Sequence, residues 1–316
     1  MSDATIDAQL LEVLLQAKRP ITCAMIGRKL RGASVRLIRR KLAELAEAGC
    51  VIESHPQQGE RLISAGISCW ADYIELRHQG HVGRKLTVYR QTASTQDRAR
   101  QHLGNRPSSQ HGHVIIADQQ TAGRGRLGRR WQSSAGAALL MTAIVPAACS
   151  PDRLMLAACC ALSQTIEKLT DLRPQIRWPN DLLIDGAKLA GILVETVGRT
   201  ALIGIGVNVT DHPSDAAIPG GATDLSRHGE PPDRLVLLDT LLSCLDHALH
   251  ESDDAVLIKM WRSRSCLLRQ RVTVKSDGRR LTGRVIDIDP AQGLLLEVER
   301  GPMTALPAQT TSLVLD

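Results

Sequence analysis

The spacing of apolar residues divides the chain into three stretches of different period. Near the N-terminus, Leu10, Leu11, Val13, Leu14 and Leu15 mark a first amphipathic helix that stops before Pro20. Thr22 is placed to cap a second helix reaching about Leu30, and Ser34 a third ending at Gly49. In that third helix Ile38, Leu42 and Leu45 share one face, and Arg36, Arg39, Arg40 and Lys41 are expected on the others. Short alternating runs at Cys50–Ser54 and Arg61–Ile63 flank Pro56–Gly59 and predict a hairpin. Residues 66–85 read as a linker that can hold a short helix.

From Leu86 strands and helices alternate without a fixed order. Strands are expected at Leu86–Tyr89, Val114–Ala117, Ala137–Val145, Ile176–Trp178, Leu182–Ile184, Lys188–Val194 and Ala201–Val209. Helices are expected from Ser94 to Leu103, from Pro151 to Leu169, and between residues 233 and 266. Asp185-Gly186 between two apolar runs is a two-residue hairpin signal. Hairpins with helices on a face predict α+β rather than a doubly wound parallel sheet. Residues 267–316 carry short strands at Arg271–Lys275, Leu281–Ile288, Leu294–Glu299 and Ser312–Leu315, a spacing that suggests a small β-barrel. The expected units are therefore 1–65, a linker 66–85, 86–266 and 267–316.

With 316 residues, two or three domains are the prior. The chain has no Phe and six aromatics, so Leu, Ile, Val and Ala must fill its cores. The net charge of +6 is mild, and its clustering decides what it means. From Arg28 to Lys41 there are seven basic residues and no acid. A basic third helix followed by a hairpin is the pattern of a winged helix-turn-helix, which makes Ser34, Arg36, Arg39, Arg40 and Lys41 candidate DNA contacts. Eight cysteines form no C-x-x-C pair and no metal-ligand spacing, as expected of reduced thiols in a cytoplasmic protein. No metal site is expected. No uncharged run approaches the ~20 residues of a membrane span.

Gly123-Arg124-Gly125-Arg126-Leu127-Gly128-Arg129-Arg130-Trp131 holds four arginines and three glycines between two strand-like runs. From Gln119 to Pro151 there is no acid, so an anion is the expected partner, and nucleotide phosphates are the leading candidate. The glycines match G-x-G-x-x-G, but a strand follows instead of a helix, and no acid stands about 20 residues on to hold a ribose. A Walker loop is excluded because no Lys-Ser/Thr follows.

This loop resembles the signature of biotin protein ligases. Arg177-Trp178-Pro179-Asn180-Asp181 and Lys188–Glu195 resemble their second signature, and Ser94-Thr95 and Gly204–Asn208 stand where further pocket segments lie. With the winged helix in front and the barrel behind, the chain is similar to the bifunctional members, which also repress the biotin operon. The resemblance implies a class II synthetase-like mixed-sheet domain and an SH3-like C-terminal barrel. It implies activation of biotin by ATP, with Mg²⁺, to biotinyl-AMP, and transfer to a lysine of the biotin carboxyl carrier protein of acetyl-CoA carboxylase. Arg126, Lys188 and Asp181 would be catalytic. Ser94, Thr95, Gln96, Gln120, Arg124, Gly125, Arg126, Lys188, Gly191 and Leu193 would meet biotin. Arg124, Arg126, Trp131, Asn180, Lys188 and Asn208 would meet ATP or the adenylate. Arg124 and Arg126 would both clamp phosphates, neither Arg126 nor Lys188 having a carboxylate nearby in sequence. A homodimer with adenylate bound, operator DNA as partner and no membrane are implied too. Gln96 stands where the family usually has Asn, Val35 where Arg is common, Glu60 puts a carboxylate on the wing, and 209–223 has no Trp to cover adenine. Two other readings share these residues: a lipoate or octanoyl transferase of the same fold, and a regulator that senses biotinyl-AMP without transferring it.

Overall fold

The computed structural model describes residues 3–17, 19–104, 107–211, 221–299 and 301–314. The N-terminal unit has helices α1 (Asp3–Leu15), α2 (Cys23–Lys29) and α3 (Val35–Glu47), then strands β1 (Val51–His55) and β2 (Gly59–Ser64). The side chain of Thr22 accepts from the Met25 amide and that of Ser34 from the Leu37 amide, so both helices start where the sequence placed a cap. Leu10, Leu14, Ile26, Ile38 and Leu45 close a small core. Ser34, Arg36, Arg39 and Arg40 are exposed on α3. Lys41 is not. It lies three residues after Ile38 on the inward face, 2% exposed, with its ammonium 3.0 Å from Asp7 and 2.7 Å from Glu44. Helical phase thus removes Lys41 from the expected DNA contacts. The wing carboxylate of Glu60 accepts a hydrogen bond from Ser54.

A 3₁₀ turn at Ile67–Cys69 and helix α4 (Trp70–Arg77) fill the linker. Trp70 is buried and donates to the Ala65 carbonyl at 3.2 Å. The central domain then runs β3 (Lys85–Thr92), α5 (Thr95–Leu103), β4 (His113–Gln120), β5 (Gly123–Arg124), β6 (Arg130–Trp131), β7 (Ala138–Pro146), α6 (Pro151–Leu169), β8 (Gln175–Arg177), β9 (Asp181–Ile184), β10 (Ala187–Val197), β11 (Thr200–Asn208), α7 (Arg234–His250) and α8 (Asp254–Arg264). Seven strands form one sheet in the order β3-β4-β7-β11-β10-β9-β8, and only β3 and β4 pair in parallel. That is the α+β arrangement the pattern predicted.

Strand parity explains where the domain leaves room. Val114, Ile116, Leu139, Met141 and Ile203 point into the main core with α6 and α7. Ile115, Ile144 and Leu202 point the other way and pack under Ala99 and Leu103 of α5. Along that second face Ile144 and Leu202 give way to Thr142, Gly204, Gly206 and Gly191, with Leu140 and Leu193 beside the glycines. Beyond the end of α5, therefore, three glycines leave room over the sheet.

The C-terminal unit is a five-stranded antiparallel sheet of β12 (Arg271–Ser276), β13 (Arg279–Asp289), β14 (Gly293–Val298), β15 (Met303–Leu306) and β16 (Thr311–Val314), in the order β15-β14-β13-β12-β16. Strand β15 was not expected; four residues after Pro302 are too few for alternation to register. Among the described residues no helix is long and apolar enough to cross a membrane.

Candidate functional site

A cavity of about 390 Å³ opens over the three glycines, and all the residues expected to meet biotin or nucleotide line it. Its inner end is uncharged. Ser94 is fully buried and caps α5 by accepting from the Gln96 amide at 3.2 Å. The amide and hydroxyl of Thr95 both donate to Gln120 Oε1, at 2.6 and 3.0 Å. Gln96 gives its amide nitrogen to the Leu202 carbonyl at 3.2 Å. Thr142 Oγ1 lies 2.9 Å from Thr95 Oγ1 and 3.1 Å from Gln96 Oε1, tying strand to helix. Thr142 was absent from the sequence-derived site; the one hydroxyl in the apolar run Ala138–Val145 was its signal.

The outer end is cationic. A bulge between Lys188 and Ala190 shifts the alternation of β10 and turns Lys188 to the cavity side, above Gly191. Its Nζ lies 2.6 Å from Asp181 Oδ1, and Arg177 reaches the other oxygen at 3.1 Å. The expectation that Lys188 has no carboxylate beside it is thus corrected: the Asp185-Gly186 turn folds Asp181 back against it. Asn208 donates to the Thr223 carbonyl at 2.9 Å, while its buried Oδ1 has no partner among the described residues. The segment 209–223, expected near adenine, runs partly through 212–220, which lie outside the described residues.

The arginine loop folds back on itself. Gly123 pairs with Trp131 and Arg124 with Arg130, and a 3₁₀ turn at Arg126–Gly128 forms the tip. The Trp131 indole lies on the floor where Gly191 and Gly206 face each other across β10 and β11. A Cβ on Gly206 would stand 2.7 Å from the ring, too close for any side chain. The indole N–H is buried and without a partner among the described residues, and Lys188 Nζ lies 5.8 Å from the ring centroid.

The two expected phosphate clamps part company. Arg124 is ion-paired to both Asp97 and Glu195, so its charge is already met and it fastens the loop to α5 and β10. Arg124 also lines the cavity. Arg126 donates to Asn180 Oδ1 at 3.2 Å, to the Thr311 carbonyl at 2.7 Å and to the Ala308 carbonyl. All three acceptors are neutral. Burial pushes the guanidinium down to about 10, which still leaves it charged at neutral pH. Asn180, which also donates to the Ile192 carbonyl at 3.2 Å, links Arg126 to β10. Ser312 of β16 lines the cavity as well, so the C-terminal sheet, from which no site residue was expected, is part of the site. Among the described residues no cluster of His, Cys, Asp or Glu is suited to hold a metal ion.

Residues 88–210 match the biotin/lipoate A/B protein ligase family, and residues 7–61 match a helix-turn-helix domain. The chain is 29% identical to the bifunctional ligase/repressor BirA of Bacillus subtilis, over 94% of this chain and 96% of that one. It is 35% identical to the biotin–[acetyl-CoA-carboxylase] ligase of Mycobacterium tuberculosis, over 68% of this chain and 84% of the relative. Among solved structures it is similar to the biotin protein ligase of Aquifex aeolicus in complex with biotin and ATP. The TM-score is 0.64 at 25% identity, covering 73% of this chain and 99% of the other.

Proposed function

The chain belongs to the biotin protein ligase family, and from that premise we propose that it adenylates biotin and transfers it to a carrier lysine while its winged unit binds DNA. One observation carries the ligase reading: a single cavity has an uncharged hydrogen-bonding end and a cationic end. Biotin has the complementary halves, a neutral ureido group and an anionic carboxylate.

In the first step the carboxylate oxygen bonds to the α-phosphorus of ATP and pyrophosphate leaves. Two anions must meet, and unit charges 4 Å apart repel by about 4 kcal/mol at an effective dielectric of 20. Lys188 and Arg126 offset that repulsion, both lining the cavity's cationic end. Arg126 is the stronger clamp, since its present partners are neutral and its charge is not spent on a carboxylate. Ser94, Thr95, Gln96 and Gln120 hold the ureido end, braced from behind by Thr142, with Gly191 and Leu193 beneath the rings and Gly125 in the covering loop. Trp131, Asn180 and Asn208 border the adenylate. Mg²⁺ enters with the triphosphate as part of the substrate. In the second step the amine of the incoming lysine attacks the mixed anhydride, an amide forms and AMP leaves. Asp181 orients that amine, lying between Lys188 and Arg177. The biotin carboxyl carrier protein of acetyl-CoA carboxylase is the acceptor, and the reaction takes place in the cytoplasm.

Incubation with biotin, ATP, Mg²⁺ and a carrier domain should add one biotin per carrier lysine and release equal amounts of pyrophosphate and AMP. Adenylate formation without transfer would favour a sensor, and transfer of lipoate but not biotin would favour the other branch of the fold. The arginine loop orders around the adenylate; protease cleavage between Arg124 and Arg130 that biotin plus ATP fails to suppress would count against this. The DNA reading rests on Arg36, Arg39 and Arg40 standing exposed on α3. It includes repression of biotin synthesis by an adenylate-bound homodimer, and a sedimentation shift on adding biotin and ATP tests the dimer.

A further inference from the structure

All eight cysteines are free thiols, and two of them face each other far from any chemistry assigned above. Cys50, at the residue where α3 gives way to β1, has its Sγ 4.0 Å from that of Cys69, in the turn before α4. The Gly66 amide donates to Cys50 Sγ at 3.2 Å, a hydrogen bond that favours a thiolate at Cys50 over one at Cys69. The Cys69 thiol hydrogen bond, then the Gly66 amide, draw Cys50 down to about 7, against burial and the nearby Asp233. Cys69 is pushed up, by its hydrogen bond with Cys50 and by burial, with Asp7 and Asp72 adding to the effect. The buried thiols elsewhere behave differently. Cys159 and Cys160 lie near the Pro179 and Leu257 carbonyls, and burial raises both. They are inert packing groups.

We propose that Cys50 and Cys69 form an oxidisable dithiol, with a hydroperoxide as its oxidant, that locks the joint between the winged unit and the catalytic domain. The Cys50 thiolate attacks one oxygen of the peroxide, the O–O bond breaks, an alcohol or water leaves, and Cys50 becomes a sulfenic acid. The Cys69 sulfur then attacks Cys50 Sγ, the sulfenic oxygen leaves as water, and the S–S bond forms. Two thiols lose two electrons and two protons in total, and one peroxide is reduced. The sulfurs have to close from 4.0 Å to a bond of about 2 Å. Cys50 is buried and Cys69 half-buried, so a small oxidant such as hydrogen peroxide is required.

The bond would span the joint at a point where the winged unit is already docked. Ala65 donates to Asp233 Oδ2 at 2.8 Å, Arg61 reaches Glu230 at 3.3 Å, and Trp70 packs against Arg234. A cross-link in that arrangement ties the end of α3 to the turn before α4 and restricts any swivel of α3 toward a duplex. This consequence rests on the DNA reading above; the thiol chemistry does not.

The chain makes the test direct, because trypsin cleavage after Lys41, Arg61 and Arg77 leaves Cys50 and Cys69 on separate peptides with no other cysteine. Full-length protein treated with stoichiometric hydrogen peroxide should yield these two peptides joined, 2 Da below their sum, and dithiothreitol should separate them. Cys69→Ser should instead trap sulfenic acid on Cys50, detectable with dimedone. Oxidised protein should bind a duplex at least fivefold more weakly than reduced protein, with unchanged biotin transfer, and Cys69→Ser should lose that difference. Peroxide that leaves both thiols free, or that oxidises Cys159 or Cys266 first, overturns the dithiol. A cross-link that forms without changing duplex affinity overturns the lock. Reduced protein that binds no duplex removes the DNA reading and leaves the peptide result standing.

Discussion

Two small units flank the catalytic domain, and they stand in opposite relations to its cavity. The winged unit has its signals written in the sequence, in caps, a basic run and a hairpin, yet among the described residues it contributes no side chain to the cavity. The C-terminal sheet shows only alternation and turns, yet two of its carbonyls hold Arg126 and Ser312 lines the wall. The difference lies in which atoms do the work. DNA contact needs exposed cationic side chains, which sequence displays. Holding a guanidinium needs backbone carbonyls in one place, which every residue has and no residue type announces.

That contrast can be broken or sharpened by experiment. Arg126→Gly removes both the charge and the link to the C-terminal sheet. It should lower retention of biotinyl-AMP by about 10²–10³ and biotinylate bystander lysines, read by blotting against a mixed protein background. Tight retention by this variant would detach the C-terminal sheet from the chemistry. A smaller effect is expected at Asp152, whose Oδ1 accepts from the Ala308 amide at 2.7 Å and so fixes the turn that holds Arg126. Asp152→Ala should slow biotin transfer about tenfold, in line with a lost buried hydrogen bond of roughly 1–3 kcal/mol, while thermal unfolding stays cooperative. On the other flank, Arg39→Ala with Arg40→Ala should weaken duplex binding and flatten its log-log salt slope by about 2, with biotin transfer unaltered. A change in transfer there would erase the separation between the units. The smallest effect belongs to Arg61→Ala. Its pair with Glu230 is largely exposed, so stability should shift by less than about 1 kcal/mol in urea unfolding.

Much of the site could be read before any coordinates. The caps at Thr22, Ser34 and Ser94, the turn at Asp185-Gly186 and the loop Gly123–Trp131 all rest on local chemistry, and local chemistry is what a sequence shows. What escaped it was long-range pairing. Arg124 meets Asp97 and Glu195 across 27 and 71 residues, and Lys188 meets Asp181 only because a tight turn and a bulge bring them together. Lys41 was a different kind of miss. Its position three residues after Ile38 already placed it on the inner face, and the run of basic neighbours obscured the helical phase.

The paired glycines beneath Trp131 carry a consequence for anyone wishing to redirect this enzyme to larger substrates. A pocket floor made of side chains can be deepened by trimming them, but Gly191 and Gly206 are already bare, and adding even a methyl at Gly206 strikes the indole. Substrate range can therefore be widened only at the side chains around the glycines, such as Gln96, Leu140 or Leu193, or by replacing Trp131 itself. In evolutionary terms the glycine pair is a dead end: no further step toward a roomier site remains there.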